Sequence, residues 1–119
     1  MGRILVLFLV ALTVACSKGN RGEPTLKIQG TRDVTGVSFT NQEESALQDC
    51  DATVTDSTAT KWVAVVPGRV EMNQRVTLDW SDFKADGRPL PAYLGRSRGV
   101  IVSCHVIGLN ERRSGAAAR

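Results

Sequence analysis

A chain of 119 residues with 42% hydrophobic and 23% charged residues has room for one domain and the composition of an ordinary globular protein. Its 15 Lys and Arg against 12 Asp and Glu give a formal charge of +3, yet residues 25–110 carry nine basic and ten acidic side chains, so the surplus belongs to the two ends. A body this close to neutral lacks the basic field of a nucleic-acid binder, which excludes nucleic acid as an expected partner.

The first element in chain order is an apolar run over residues 4–15, preceded by Arg3 and interrupted by one hydroxyl, Thr13. A helix that crosses the bilayer needs about 20 apolar residues, and this run of about twelve is too short. A basic start, a short apolar stretch and small residues after it instead predict a signal peptide over residues 1–15, and hence export.

The run ends in LTVAC, residues 12–16, which resembles the lipobox of bacterial lipoprotein precursors. The resemblance implies that the Cys16 thiol carries a diacylglyceryl group, that cleavage follows Ala15, and that the new amino terminus is acylated by a fatty acid of the palmitate kind. Leu12 stands one place earlier than the leucine of the commonest form, whose position Thr13 takes. Each buried methylene contributes roughly 0.8 kcal/mol, so two or three acyl chains hold where one would not. The implied location is the cell membrane or the outer membrane, on the periplasmic or surface side. Ser17, where enteric lipoproteins retained at the inner membrane carry aspartate, makes the outer membrane the expected destination.

Residues 16–24 combine this cysteine with SKGNRGEP, a polar segment with nothing to bury, and read as a flexible tether. Eight such residues span about 15 Å on average, which keeps the following domain near the bilayer.

From Thr25 onward the apolar pattern has period two, and strands are expected over residues 25–29, 36–40, 50–55, 61–66, 75–80 and 99–107. The last is apolar at most positions and is expected to lie inside its sheet. One helical turn fits within residues 42–48. Pro67-Gly68 has the chemistry of a type II turn, and Asp86-Gly87 marks a second turn. Six short strands in fewer than 90 residues predict an all-β domain over residues 25–110, a small β-sandwich or, alternatively, a small β-barrel. Residues 111–119 lose the alternation and read as a disordered tail.

Cys50 and Cys104 both fall in expected strands, and export places them where disulfides persist. Their pairing would leave Cys16 as the odd cysteine, free for the lipid. A domain of this size buries only roughly 60–70% of its unfolded surface, so a covalent bridge matters to it. With Trp62 between them, the order Cys, Trp, Cys is similar to that of immunoglobulin domains. The resemblance implies an immunoglobulin-like sandwich whose tryptophan packs on a bridge between the two sheets. Two strand-like segments precede Cys50 where that family has one, and Val102 stands where its tyrosine would.

No residue pattern points to catalysis, and no cofactor or metal is expected. There is no CxxC motif for redox work. His105, the one histidine, follows Cys104 on a strand and points to the opposite face, and it is set aside against Ser103 as well. Asp79, Asp82 and Asp86 lack the spacing and closing glutamate of an EF-hand. In RPLPAYLGRSR, residues 88–98, an extended chain would aim Arg96 and Arg98 the same way and offer them, with Arg88, as contacts for phosphate or carboxylate groups. The expectation is a non-enzymatic binding or structural module of the cell envelope, anchored by its lipid and meeting an envelope protein or polymer. The alternatives are a binder of anionic envelope polymers through Arg88, Arg96 and Arg98, and a small envelope hydrolase or redox enzyme.

Overall fold

The computed structural model describes residues 25–109 and 111–119, so the expected signal peptide, Cys16 and tether lie outside the described residues. The first strand, β1 (Ile28–Arg32), lies three residues later than the expected 25–29; the other expected strands form at β2 (Gly36–Asn41), β3 (Leu47–Thr55), β4 (Lys61–Val65), β5 (Arg75–Asp79) and β8 (Val100–Val106). Two short strands, β6 (Lys84–Ala85) and β7 (Arg88–Pro89), flank the Asp86-Gly87 turn. Both turn residues have positive φ, 51° and 77°, as a tight hairpin requires. A 3-10 turn (Trp80–Asp82) follows β5, and one short helix, α1 (Ala92–Ser97), precedes β8. Residues 42–46 hold bends rather than a helical turn.

The elements build the expected all-β, sandwich-like fold from two antiparallel sheets, one ordered β1-β2-β5 and the other β7-β6-β4-β3-β8-β9, where β9 is Glu111–Ala118. Val37, Phe39 and Leu78 face inward from the first. Leu47, Ala52, Val54, Trp62, Ala64, Val100, Val102 and Val106 face inward from the second. As expected, β8 is internal to its sheet, between β3 and β9. Ile101 nevertheless lies on the outer face at 46% exposure. Among the described residues, no helix is long and apolar enough to cross a membrane.

The expected tail is a correction: Glu111–Ala118 is β9, paired with the full length of β8 from Val106↔Glu111 to Val100↔Ala118. Its sequence lacks the large apolar residues that mark strands because the main chain of another segment lies against it. A Cβ added to Gly30 would sit 2.2 Å from the Ala117 carbonyl oxygen, and one added to Gly115 would sit 2.6 Å from that of Leu26. Glycine on each side lets the approach to β1 cross β9, where Leu26 N–H donates to the Ser114 carbonyl (3.0 Å). Arg113 of β9 is also far from solvated. Its side chain is 18% exposed and donates to both carboxylate oxygens of the buried Glu43 (3.1 and 3.2 Å) and to Glu111 (2.6 Å). Those bonds, led by the one to Glu111, raise the Arg113 pKa above its ordinary value.

Cys50 and Cys104 are bridged, with Cα atoms 4.1 Å apart. The bridge differs from that implied by the immunoglobulin resemblance, because it joins β3 to β8, neighbours within one sheet. Val66 N–H donates to the Cys50 carbonyl, so Trp62 lies four residues, about 13 Å, further along β4 and does not pack on the bridge.

Two turns are organised by aspartates. Asp33 accepts from the Thr35 hydroxyl (2.7 Å) and from the N–H groups of Thr35 and Gly36. Asp56 accepts from the Thr58 hydroxyl (2.7 Å), the N–H groups of Thr58 and Thr60, and Trp62 Nε1 (3.3 Å). These donors, the threonine hydroxyls foremost, lower both pKa values below the ordinary 3.8. A depressed folded-state pKa means stabilisation that is present above the unfolded pKa and is lost as pH falls through the folded one. The midpoint of thermal unfolding is therefore expected to fall as pH drops below the ordinary carboxylate range. The double variant Asp33→Asn with Asp56→Asn, melted across the same pH series, is expected to show a flatter acid limb.

Candidate functional site: a concavity over the β3 bulge

Between Gln48↔His105 and Asp51↔Ser103 the β3–β8 register shifts, so Asp49 and Cys50 together oppose Cys104. This is a β-bulge, and Asp49, its first residue, has a positive φ of 53°, as in the G1 type. The disulfide fixes the two strands at that point, with Cys50 and Cys104 both buried. The bulge turns the carboxylate-bearing Asp49 and Asp51 outward around one end of the six-stranded sheet.

Arg112 completes the arrangement from β9. Its guanidinium donates to the carbonyls of Asp49 (2.9 Å) and Ser103 (3.1 Å) and to the Ser103 hydroxyl (3.3 Å), and it lies 3.7 Å from the Asp51 carboxylate. Beside it the chain from Val65 through Pro67-Gly68 to Arg69 forms a wall, with Gly68 at φ 72° as the expected turn requires. The result is an open cavity of about 720 Å³, within the size range of small-ligand sites. It offers carboxylate acceptors from Asp49 and Asp51, an amide from Gln48, and cationic donors from Arg112 and Arg69. Side chains of this kind recognise a polar, hydroxyl-bearing or mixed-charge surface through hydrogen bonds.

His105 lies on β8 in register with Gln48 and Arg112, while the Cys104 sulfur is taken up by the disulfide. The separation of His105 from Ser103 needs correcting, because residues two apart on a strand share a face. Both are half-buried on the outer side of β8. The Ser103 hydroxyl is engaged by Arg112, and among the described residues no hydrogen bond joins it to His105.

The three arginines offered as anion contacts are set in different surroundings. Arg88, on β7, holds its guanidinium carbon 5.8 Å from the centre of the Trp62 ring, a cation–π contact. Residues 92–97 are helical, so the alternation that would align Arg96 with Arg98 does not operate. Arg96 lines a depression of about 250 Å³ with Arg32, Asp33 and Val34. Arg98 closes α1, donating its N–H to the Leu94 carbonyl (3.0 Å) and accepting from the Arg32 guanidinium through its own carbonyl. Of the three aspartates weighed for calcium, Asp79 ends β5, Asp82 accepts from Asp79 N–H (2.9 Å), and Asp86 sits in the hairpin turn.

The cavity residues escaped the sequence reading because Arg112 fell in the expected tail. The one available signal was the pair of acids flanking Cys50 in QDCD. Comparison with protein-family models, with curated proteins and with solved structures finds no match to this chain.

Proposed function

We propose that this chain is a bacterial lipoprotein, anchored through Cys16 and displaying a disulfide-bridged β-sandwich as a non-enzymatic binding module of the cell envelope. The observation that carries the reading is the fate of the three cysteines. LTVAC ends the apolar run at Cys16, and Cys50 and Cys104 take each other as partners. A disulfide of this kind fits an oxidising compartment, which export supplies. The binding face in this reading is the cavity over the β3 bulge, where Asp49 and Asp51 stand on β3, covalently tied to β8, and Arg112 reaches them from β9. Its partner is a polar envelope component within reach of the short tether.

Metabolic labelling with a radioactive fatty acid tests the anchor in cells making the full chain. Label is expected on the wild type and absent from Cys16→Ala at equal protein level. Equal labelling of both would remove Cys16 as the attachment site.

A further inference from the structure

The three-stranded sheet ends at β5, which pairs on one side with β2 and, among the described residues, has no strand on the other. The direction of its backbone groups follows from two bonds that bracket it. Trp80 N–H donates to the Thr35 carbonyl (3.1 Å) and Asn41 N–H donates to the Gln74 carbonyl (3.0 Å). In an antiparallel pair the groups alternate, so the even-numbered residues of this segment turn to β2 and Arg75, Thr77 and Asp79 turn to the open edge. Of these, the Asp79 N–H is occupied by the Asp82 carboxylate (2.9 Å). The N–H groups and carbonyls of Arg75 and Thr77 remain directed outward, while Asp79 is the N-cap of the following 3-10 turn.

The side chains on this edge carry a symmetric code. The sequence RVTLD places Arg75 and Asp79 at equal distances on either side of Thr77, and all three side chains are exposed. Among the described residues neither Arg75 nor Asp79 is in an ion pair. A two-fold axis through Thr77 would lay β5 antiparallel to its own copy, with Arg75 facing Asp79 of the second copy at both ends. Isologous contacts require such self-complementarity, and opposed charges directly across an antiparallel pair are favourable.

We propose that β5 is a self-association edge: two copies of this chain pair through β5 about Thr77 and join their three-stranded sheets into one. In this register Thr77 exchanges both backbone hydrogen bonds with Thr77 of the second copy. The Asp79 N–H stays with Asp82. The inference rests on the sheet edge alone and does not depend on the lipid anchor.

Cysteine crosslinking of the full chain in cells tests it. Across a hydrogen-bonded antiparallel pair the Cα atoms stand about 5.5 Å apart, within reach of a disulfide. Thr77→Cys is therefore expected to give an oxidation-dependent homodimer, mapped by mass spectrometry to position 77 of both chains. Ser38→Cys, on the same face but one strand inward, is expected to give none. Adding Arg75→Asp to Thr77→Cys opposes like charges at both ends and is expected to cut the dimer yield at least about tenfold. Further addition of Asp79→Arg restores opposite charges and is expected to restore the yield. Melting curves of each variant separate loss of pairing from loss of fold. A chain that stays monomeric with Thr77→Cys while folded, a yield indifferent to Arg75→Asp, or capture of a different protein at position 77 would each overturn the proposal.

Discussion

Replacing Cys50 and Cys104 together by alanine is expected to lower the unfolding free energy by about 4 kcal/mol, by the loop-entropy estimate for a bridge between residues this far apart. The two cysteines are 54 positions apart in sequence but neighbours across β3 and β8. The bridge therefore closes a large loop in the unfolded ensemble and removes conformational entropy there, while joining strands that the sheet already holds together. It also ties the bulge that aims Asp49 and Asp51 outward. A small domain has a net stability of roughly 5–15 kcal/mol, so the loss is a large share of the whole. Chemical denaturation of the double variant checks it. A midpoint unchanged from wild type would mean that the bridge adds nothing beyond the sheet.

The second large effect belongs to Asn41, whose side chain is fully buried. Its Nδ2 donates to the carbonyls of Ser45 (3.0 Å), Val70 (3.2 Å) and Glu71 (3.2 Å), and its Oδ1 accepts from Glu43 N–H (2.8 Å). One side chain thus ties the end of β2 to the bends at 43–45 and to the segment leading into β5. Asn41→Leu keeps the approximate volume and takes a hydrogen bond from four main-chain groups; the Val70 and Glu71 carbonyls keep the N–H groups of Leu47 (2.9 Å) and Gln74 (3.0 Å), while the Ser45 carbonyl and the Glu43 N–H lose the partner Asn41 gave them. Each buried group left unpaired costs about 1–3 kcal/mol, and relief by solvent at the half-buried Ser45 brings the expected total for the two to about 2–4 kcal/mol. Thr40→Val, one residue away on the outer face, is expected to change stability by less than about 0.5 kcal/mol. Denaturant titration of both variants makes the comparison.

The strands with clear alternation and branched or aromatic residues were legible: 36–40, 50–55, 61–66 and 75–80 coincide closely with β2, the later part of β3, β4 and β5. Their inward residues contact one common core, so local pattern and tertiary burial agree. Glu111–Ala118 was illegible because its strand character comes from β8 on one side and from the crossing at Gly30 and Gly115 on the other. Arginine and alanine carry no period-two hydrophobic signal, and Arg113 is half-buried in a pairing with a glutamate 70 residues away. The helix Ala92–Ser97 is shorter than two turns and follows Pro91, too brief for a helical period to register.

The cysteine pair was legible and its geometry was not. Sequence order alone cannot distinguish a bridge between sheets from one between neighbouring strands, and the bulge that sets this one depends on a register shift between Gln48 and Asp51. The cavity inherits that difficulty. Asp49 and Asp51 flank Cys50, but Arg112 reaches them only because β9 lies beside β8. Arg88, Arg96 and Arg98 show the converse: they are close in sequence, yet a strand, a helix and a helix end hold them in separate surroundings.

The proposed lipoprotein divides its three cysteines into one anchor and one bridge. Intact-mass and peptide mass spectrometry of the protein extracted from membranes measures that division directly. The expected result is an amino terminus at Cys16 bearing diacylglycerol and an amide-linked acyl chain, with Cys50 and Cys104 recovered as one disulfide-linked peptide pair. An unacylated terminus at another residue, or Cys16 recovered in a disulfide with Cys50 or Cys104, would contradict it.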